Sequence, residues 1–133
     1  MEHATSGFSL AEVLVVLLII SVLFILVMPQ YIDVAENART KEARALLRLI
    51  RAGQEVYFSE YRVFSDDLNL LNIENPNARV ESQRDFSYSL APPPPPDTLL
   101  EDFIAEATRL RGAREGDRYR IQKSGDVQGP FNP

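Results

Sequence analysis

The sequence predicts an α+β chain in which a long N-terminal helix packs on a small antiparallel sheet of three or four strands. Three observations carry that expectation. Val13 to Ile32 contains no charged side chain, while the rest of the chain is charge-rich. From Asp33 to about Arg62, apolar residues return at steps of three and four, the period of a helix face. Beyond Phe64 that period stops and short stretches alternate apolar with polar, as half-buried strands do.

A length of 133 residues suits one small domain. The absence of cysteine excludes disulfides, thiolate metal sites and cysteine nucleophiles. The one histidine is His3, and the net charge of -5 argues against a general nucleic-acid binder. No serine sits in a Gly-x-Ser-x-Gly turn and no glycine loop is built to hold phosphate. The composition therefore points away from an enzyme: no residue is singled out as catalytic or metal-ligating, and no cofactor is expected.

Phe8 to Met28 reads FSLAEVLVVLLIISVLFILVM. About 20 helical residues cross a hydrocarbon core of ~30 Å, so the run is long enough to span a membrane. A secretory signal peptide would have a basic start and a small-residue cleavage site after its apolar core. Met1 to Gly7 holds no Lys or Arg, and the run ends in Met28-Pro29-Gln30. The plainest expectation is a single-pass anchor. Glu12 does not fit that expectation. An acid in the hydrocarbon costs roughly 2.5–3.5 kcal/mol at a helix centre and less near an end. No Lys or Arg lies between Met1 and Asp33. A partner for Glu12 must come from another chain or from a new amino terminus. The alternative is that its carboxylate reaches the headgroups from the first turn.

Gly7-Phe8-Ser9-Leu10-Ala11-Glu12-Val13-Leu14, followed by the apolar run, resembles the prepilin processing motif. That motif is shared by type IV pilins and the pseudopilins of type II secretion. The resemblance extends from Gly7 to Pro29; beyond it only the layout is similar. It implies that a prepilin peptidase cuts after Gly7 on the cytoplasmic side and that the new amino terminus, Phe8, is methylated. It also implies that Glu12 is the assembly glutamate and that Pro29 is the helix-interrupting proline of the family. The chain then divides into a leader (1–7), a transmembrane and filament-core helix (8–32), and an amphipathic helix with a globular α+β head (33–133). The fold implied is pilin-like. The implied partners are further copies of the chain in a helical homopolymer, the peptidase, an inner-membrane platform protein and an assembly ATPase. The implied location is the bacterial inner membrane as a single-pass precursor, and later a periplasmic pseudopilus or an extracellular pilus.

The motif is chemically coherent. Cleavage creates an α-ammonium at Phe8, and Glu12, one turn on, can neutralise it on a neighbouring subunit or on its own chain. Two buried charges together are tolerated where either alone is not. One departure is the leader, which lacks the usual Lys and Arg. Arg39, Lys41 and Arg44 follow the run instead, so charge bias alone would reverse the orientation. A start codon upstream of Met1, adding a basic leader, would remove the conflict.

Along the continuing helix the expected core stripe is Ala35, Ala38, Leu46, Leu49, Ile50, Gly53, Val56, Tyr57 and Tyr61. Arg44, Arg48 and Arg51 read as a solvated face. A helix from Phe8 to Arg62 would be on the order of 80 Å long. Pro29 removes one hydrogen bond within it, and Ser21 is a second weak point. Ser65-Asp66-Asp67-Leu68 reads as a helix cap, with Leu68, Leu70 and Leu71 docking a short turn. Asp66, Asp67 and Asn69 lack the glycine and downstream ligand of a calcium loop. Asn75-Pro76-Asn77 is a turn. Phe86, Tyr88 and Leu90 alternate with serines as a strand, and so do Tyr119 and Ile121 with Arg120 and Gln122. Ser124-Gly125-Asp126 is a turn, after which Val127 begins a return strand. Asp102 to Leu110 has helical propensity behind a Thr98–Glu101 capping box, yet Phe103, Ala105 and Ala107 alternate. The family layout places a strand there, and a strand after a helical turn is expected. Pro92 to Pro96 reads as a stiff exposed connection, with recognition by a proline-binding partner as the alternative.

Two other functions compete with the repeating subunit. One is a minor pilin at a filament tip acting as a binding module. The other is a single-pass membrane protein that never polymerises. The small head favours a repeating subunit, and the missing cysteines favour a pseudopilin-like or non-adhesive one.

Overall fold

The computed structural model describes residues 7–93 and 98–131. One helix, α1 (Leu10–Tyr61), is followed by two short 3-10 turns at Leu68–Leu70 and Glu81–Gln83. Four strands complete the fold: β1 (Phe86–Ala91), β2 (Ile104–Arg109), β3 (Arg118–Ile121) and β4 (Gln128–Phe131). They form one antiparallel sheet in the order β1-β2-β3-β4. The chain is therefore α+β, with a long N-terminal helix and a small antiparallel sheet. Two compact units divide the chain between Ala38 and Arg39.

In the first unit the apolar side chains of α1 are exposed from Leu10 through Met28 and again at Tyr31, Ile32 and Val34. Ser21 does not break the helix, because its hydroxyl donates to the Leu17 carbonyl at 2.7 Å and so satisfies itself within the preceding turn. The helix also continues through Pro29 rather than ending there. The proline has no N–H for the Ile25 carbonyl, so this turn is one hydrogen bond short.

In the second unit α1 buries Ala43, Leu47, Ile50 and Gln54, a face at steps of four, three and four. These residues pack with Phe64, Phe86, Tyr88, Phe103, Ala105, Ala107, Tyr119 and Ile121 in one core. The expected stripe is corrected here. Ile50 and Gly53 are buried and Leu46 and Tyr57 partly so, but Ala38, Leu49, Val56 and Tyr61 are exposed. The helix has a second apolar row, Ala45, Leu49, Ala52 and Val56, that is exposed. Gly53 admits the segment after the first 3-10 turn: a Cβ there would stand 3.1 Å from Ile73 Cγ2.

The arginine row is not simply solvated either. The Arg44 guanidinium lies over the Tyr119 ring at 5.5 Å. Arg51 pairs with Glu55 at 2.7 Å and donates to the Lys123 carbonyl at 3.2 Å. Only Arg48 of the three is exposed.

The strands follow the alternation in the sequence. Phe86 and Tyr88 are buried on β1, and Tyr119 and Ile121 on β3. At 102–110 the strand prevails: Phe103, Ala105, Ala107 and Arg109 are all buried, a period of two that no helix face provides. The helical propensity is confined to one turn before it, where Glu101 and Asp102 N–H both donate to the Thr98 carbonyl at 2.9 and 3.0 Å. β2 then pairs Ala105 with Ile121 and Ala107 with Tyr119, small against large. β4 starts at Gln128, one residue after Val127. The turn before it passes Gly125, whose positive φ of 92° suits glycine.

Two smaller expectations change. Asp67, not Ser65, caps the first 3-10 turn, accepting from the Asn69 N–H at 2.9 Å. Leu68 and Leu71 dock in the core, but Leu70 is 56% exposed. The polyproline segment, as its residues 94–96, and the leader, as its residues 1–6, lie outside the described residues.

Candidate functional site

Three of the four candidate residues gather at the start of α1. Gly7 is exposed, and a Cβ added to it would meet nothing within 4 Å. Nothing in the chain's own packing therefore demands glycine at this position. Phe8 is 83% exposed and Leu10 is 81% exposed.

Ser9 precedes the first helical residue and forms a reciprocal pair with Glu12. The Ser9 N–H donates to Glu12 Oε2 at 2.8 Å, and the Glu12 N–H donates to Ser9 Oγ at 3.3 Å. The Glu12 N–H also reaches the Ser9 carbonyl at 3.1 Å. This is a capping box: a serine before the helix and a glutamate at its third residue satisfy each other's otherwise orphaned backbone donors. Such a cap is worth about 1 kcal/mol. The helix N-terminus also carries partial positive charge, which favours a carboxylate in this turn. Glu12 thus has a role within its own chain that the sequence reading missed. The signal was present as Ser-x-x-Glu ahead of an apolar run.

The box fixes where the carboxylate can go. It folds back over Ser9, next to the Phe8–Ser9 peptide, rather than extending along the helix. One oxygen is engaged by the Ser9 N–H, and a carboxylate has acceptor capacity left for a further donor. Pro29 belongs elsewhere: it lies about 26 Å along the helix from Glu12 at 1.5 Å per residue.

Between these points runs an apolar helical window, none of which is buried. Among the described residues, α1 is the one helix long and apolar enough to cross a membrane.

The head contains a cleft of about 380 Å³ lined by α1 residues Glu42, Leu46 and Leu49 and by residues from Glu74 to Tyr88. Burial pushes the Tyr88 hydroxyl pKa far above the ordinary tyrosine value, and the Glu42 and Asp85 carboxylates push it the same way. The hydroxyl is therefore a poor nucleophile. Asp85 is engaged by Arg39 at 3.5 Å and Arg109 at 3.7 Å. These two contacts tie Arg39 of α1 and Arg109 of β2 to Asp85, the residue before β1.

Comparison with known proteins found no matching family model, no matching curated protein and no matching solved structure.

Proposed function

We propose that the chain is a structural subunit of a type IV pilus or a type II secretion pseudopilus. It is cleaved after Gly7 by a prepilin peptidase, held in the bacterial inner membrane by α1, and then polymerised into a helical filament. The observation that carries this reading is the placement of Glu12. A carboxylate sits one turn from Phe8, at the head of a stretch of α1, Val13 to Met28, that is uncharged and exposed. An exposed apolar helix needs lipid or other such helices around it. A filament replaces the first with the second.

In that reading the Phe8 ammonium of one copy meets the Glu12 carboxylate of its neighbour, using the acceptor capacity that the capping box leaves. The head supplies the outer contacts. The chain holds no nucleotide-binding loop, so extraction from the membrane is driven by an assembly ATPase acting through a platform protein. The filament is a periplasmic pseudopilus or an extracellular pilus.

The capping box itself favours a second reading. If Glu12 serves only to start the helix, the chain is a single-pass anchored protein that does not polymerise. Processing separates the two. Expressed with a prepilin peptidase and extracted from membranes, the chain should lose Met1 to Gly7, about 0.7 kDa, and begin at methylated Phe8 by intact mass. Retention of Met1 in the mature protein overturns the filament reading.

A further inference from the structure

Asn77 lies in the loop that precedes β1, and its side-chain amide bonds both backbone groups of Tyr88. Nδ2 donates to the Tyr88 carbonyl at 2.5 Å, and Oδ1 accepts the Tyr88 N–H at 3.0 Å. The Arg84 guanidinium donates to the same Oδ1 at 2.6 Å. The loop is braced to hold this position. The Asn77 N–H donates to Asn75 Oδ1 at 2.8 Å, and Asn75 Nδ2 donates to Asn69 Oδ1 at 2.6 Å.

β1 is an outer strand, with β2 on one side and no strand on the other. In an antiparallel ladder, alternate residues turn their backbone groups toward the partner and away from it. Tyr88 turns away from β2, toward Asn77. By the same parity Phe86 and Leu90 turn away too. These three residues are symmetric about Tyr88. A second copy laid antiparallel along β1 would pair Phe86 with Leu90, Tyr88 with Tyr88, and Leu90 with Phe86. That register uses every outward group of Phe86, Tyr88 and Leu90 and has the two-fold symmetry of most protein dimers. Its central rung consists of the Tyr88 groups that Asn77 occupies.

We propose that Asn77 is an edge lock: its amide takes the central rung of β1 and stops two copies of the chain from joining their sheets edge to edge. An asparagine amide presents the same donor and acceptor as a peptide group, so it can stand in for one residue of a missing strand. Free edges template association unless they are charged, covered or broken by proline. β4 carries Pro130, and β1 runs out into Pro92. Between its ends β1 reads FSYSLA, with no charge to repel a copy. Asn77 supplies the protection that the strand itself lacks. The inference is independent of the filament reading, which concerns helices rather than sheet edges.

The test uses the full chain in detergent micelles. The wild type should sediment as one chain per micelle, and Asn77→Ala should shift to two. The sequence contains no cysteine, so engineered thiols report the register without background. In the proposed pairing Ser87 of one copy faces Ser89 of the other. N77A/S87C mixed with N77A/S89C should give a disulfide-linked dimer, lost when Asn77 is restored. Leu90→Pro removes an outward N–H, a change edge strands tolerate, and should return N77A to one chain per micelle. A folded N77A that stays single overturns the proposal, as does association that L90P does not reverse. If N77A fails to fold, Asn77→Asp serves instead. It keeps the acceptor for Tyr88 N–H and Arg84 and frees only the Tyr88 carbonyl. A folded N77D showing no increase in dimer or in the mixed disulfide overturns the proposal equally.

Discussion

Gln54, wholly buried on α1, closes both backbone hydrogen bonds of Ser65. Its Nε2 donates to the Ser65 carbonyl at 2.7 Å, and its Oε1 accepts the Ser65 N–H at 2.8 Å. The chain leaves α1 at Arg62, whose positive φ of 60° turns it sharply, and must bring Phe64 back under the helix. Phe64 then stacks on Phe58 at 4.6 Å and contacts Phe103 at 5.1 Å. Burying Phe64 also buries the peptide beside it, and Gln54 supplies the partners that water no longer can.

Gln54→Ala should therefore cost more than a surface change. It strands a buried N–H and a buried C=O, each worth about 1–3 kcal/mol, so a loss of roughly 3 kcal/mol is expected. Gln54→Leu should fare little better, because the orphaned groups belong to the backbone. Urea unfolding of the full chain in micelles, followed by tyrosine circular dichroism, measures both. A loss below about 1 kcal/mol in Gln54→Ala would show that Ser65 finds other partners.

The Tyr88 hydroxyl gives the head an alkaline limit. Its pKa is raised in the fold, chiefly by burial and then by Glu42 and Asp85, above the ordinary value of 10.0. Below that value both states carry the proton and pH has no effect through this group. Above it the unfolded tyrosine ionises while the folded one does not, so the unfolded state binds fewer protons and stability falls as pH rises. Tyr61, raised by Glu60 but exposed, acts weakly in the same direction. Tyr88→Phe should flatten most of the decline expected between pH 9 and pH 11 in thermal melts, pH values chosen to bracket about 10. An unchanged slope in Tyr88→Phe would place the alkaline sensitivity elsewhere.

The strands were legible in the sequence because a half-buried strand writes its own period. Phe86 and Tyr88, and Tyr119 and Ile121, each alternate with polar neighbours, whereas at 102–110 the same alternation competed with helical propensity and did not decide the element by itself. The buried face of α1 was not legible, for a specific reason. Leu47 and Ile50 lie on one side, Leu49 and Val56 on the other, and hydrophobicity alone does not say which side meets the sheet. Gln54 and Asn77 were invisible because their partners are single backbone residues, 11 positions away in each case. No local pattern encodes such a pair. At the N-terminus Gly7, Phe8 and Glu12 were singled out by resemblance alone, while Ser9 was overlooked although its spacing to Glu12 is a known helix-start pattern.

Pro29 separates helix stiffness from membrane insertion. α1 runs through it with one backbone bond missing at Ile25. Pro29→Ala restores that bond, and a proline inside a helix costs about 3 kcal/mol relative to alanine. The variant should insert normally, since the apolar run is untouched. Filaments built from it should be stiffer or altered in length when imaged by electron microscopy. Filaments indistinguishable from wild type would reduce Pro29 to a passive feature of the helix.

Substitutions can part the capping role of Glu12 from the assembly role proposed for it. As half of a capping box it satisfies the Ser9 N–H at 2.8 Å, and glutamine does that as well as glutamate. In the proposed filament it would also compensate, as a charge, a neighbour's Phe8 ammonium, which glutamine could not. Glu12→Gln should therefore keep the cleaved monomer at normal levels in the membrane while reducing filament yield. Glu12→Leu loses both roles. It should still be cleaved and inserted, yet give few or no filaments, because an uncompensated buried cation costs about 3–5 kcal/mol at each subunit contact. Ser9→Ala is the complementary control. It removes the hydroxyl half of the cap, worth about 1 kcal/mol, and keeps the charge. Filaments should persist in it. Filament yield by electron microscopy, read beside immunoblots of the membrane fraction, distinguishes the cases. A normal yield from Glu12→Leu at normal expression rejects the charge pairing. If Ser9→Ala and Glu12→Leu lose filaments equally while Glu12→Gln keeps them, the cap and not the charge is what assembly requires.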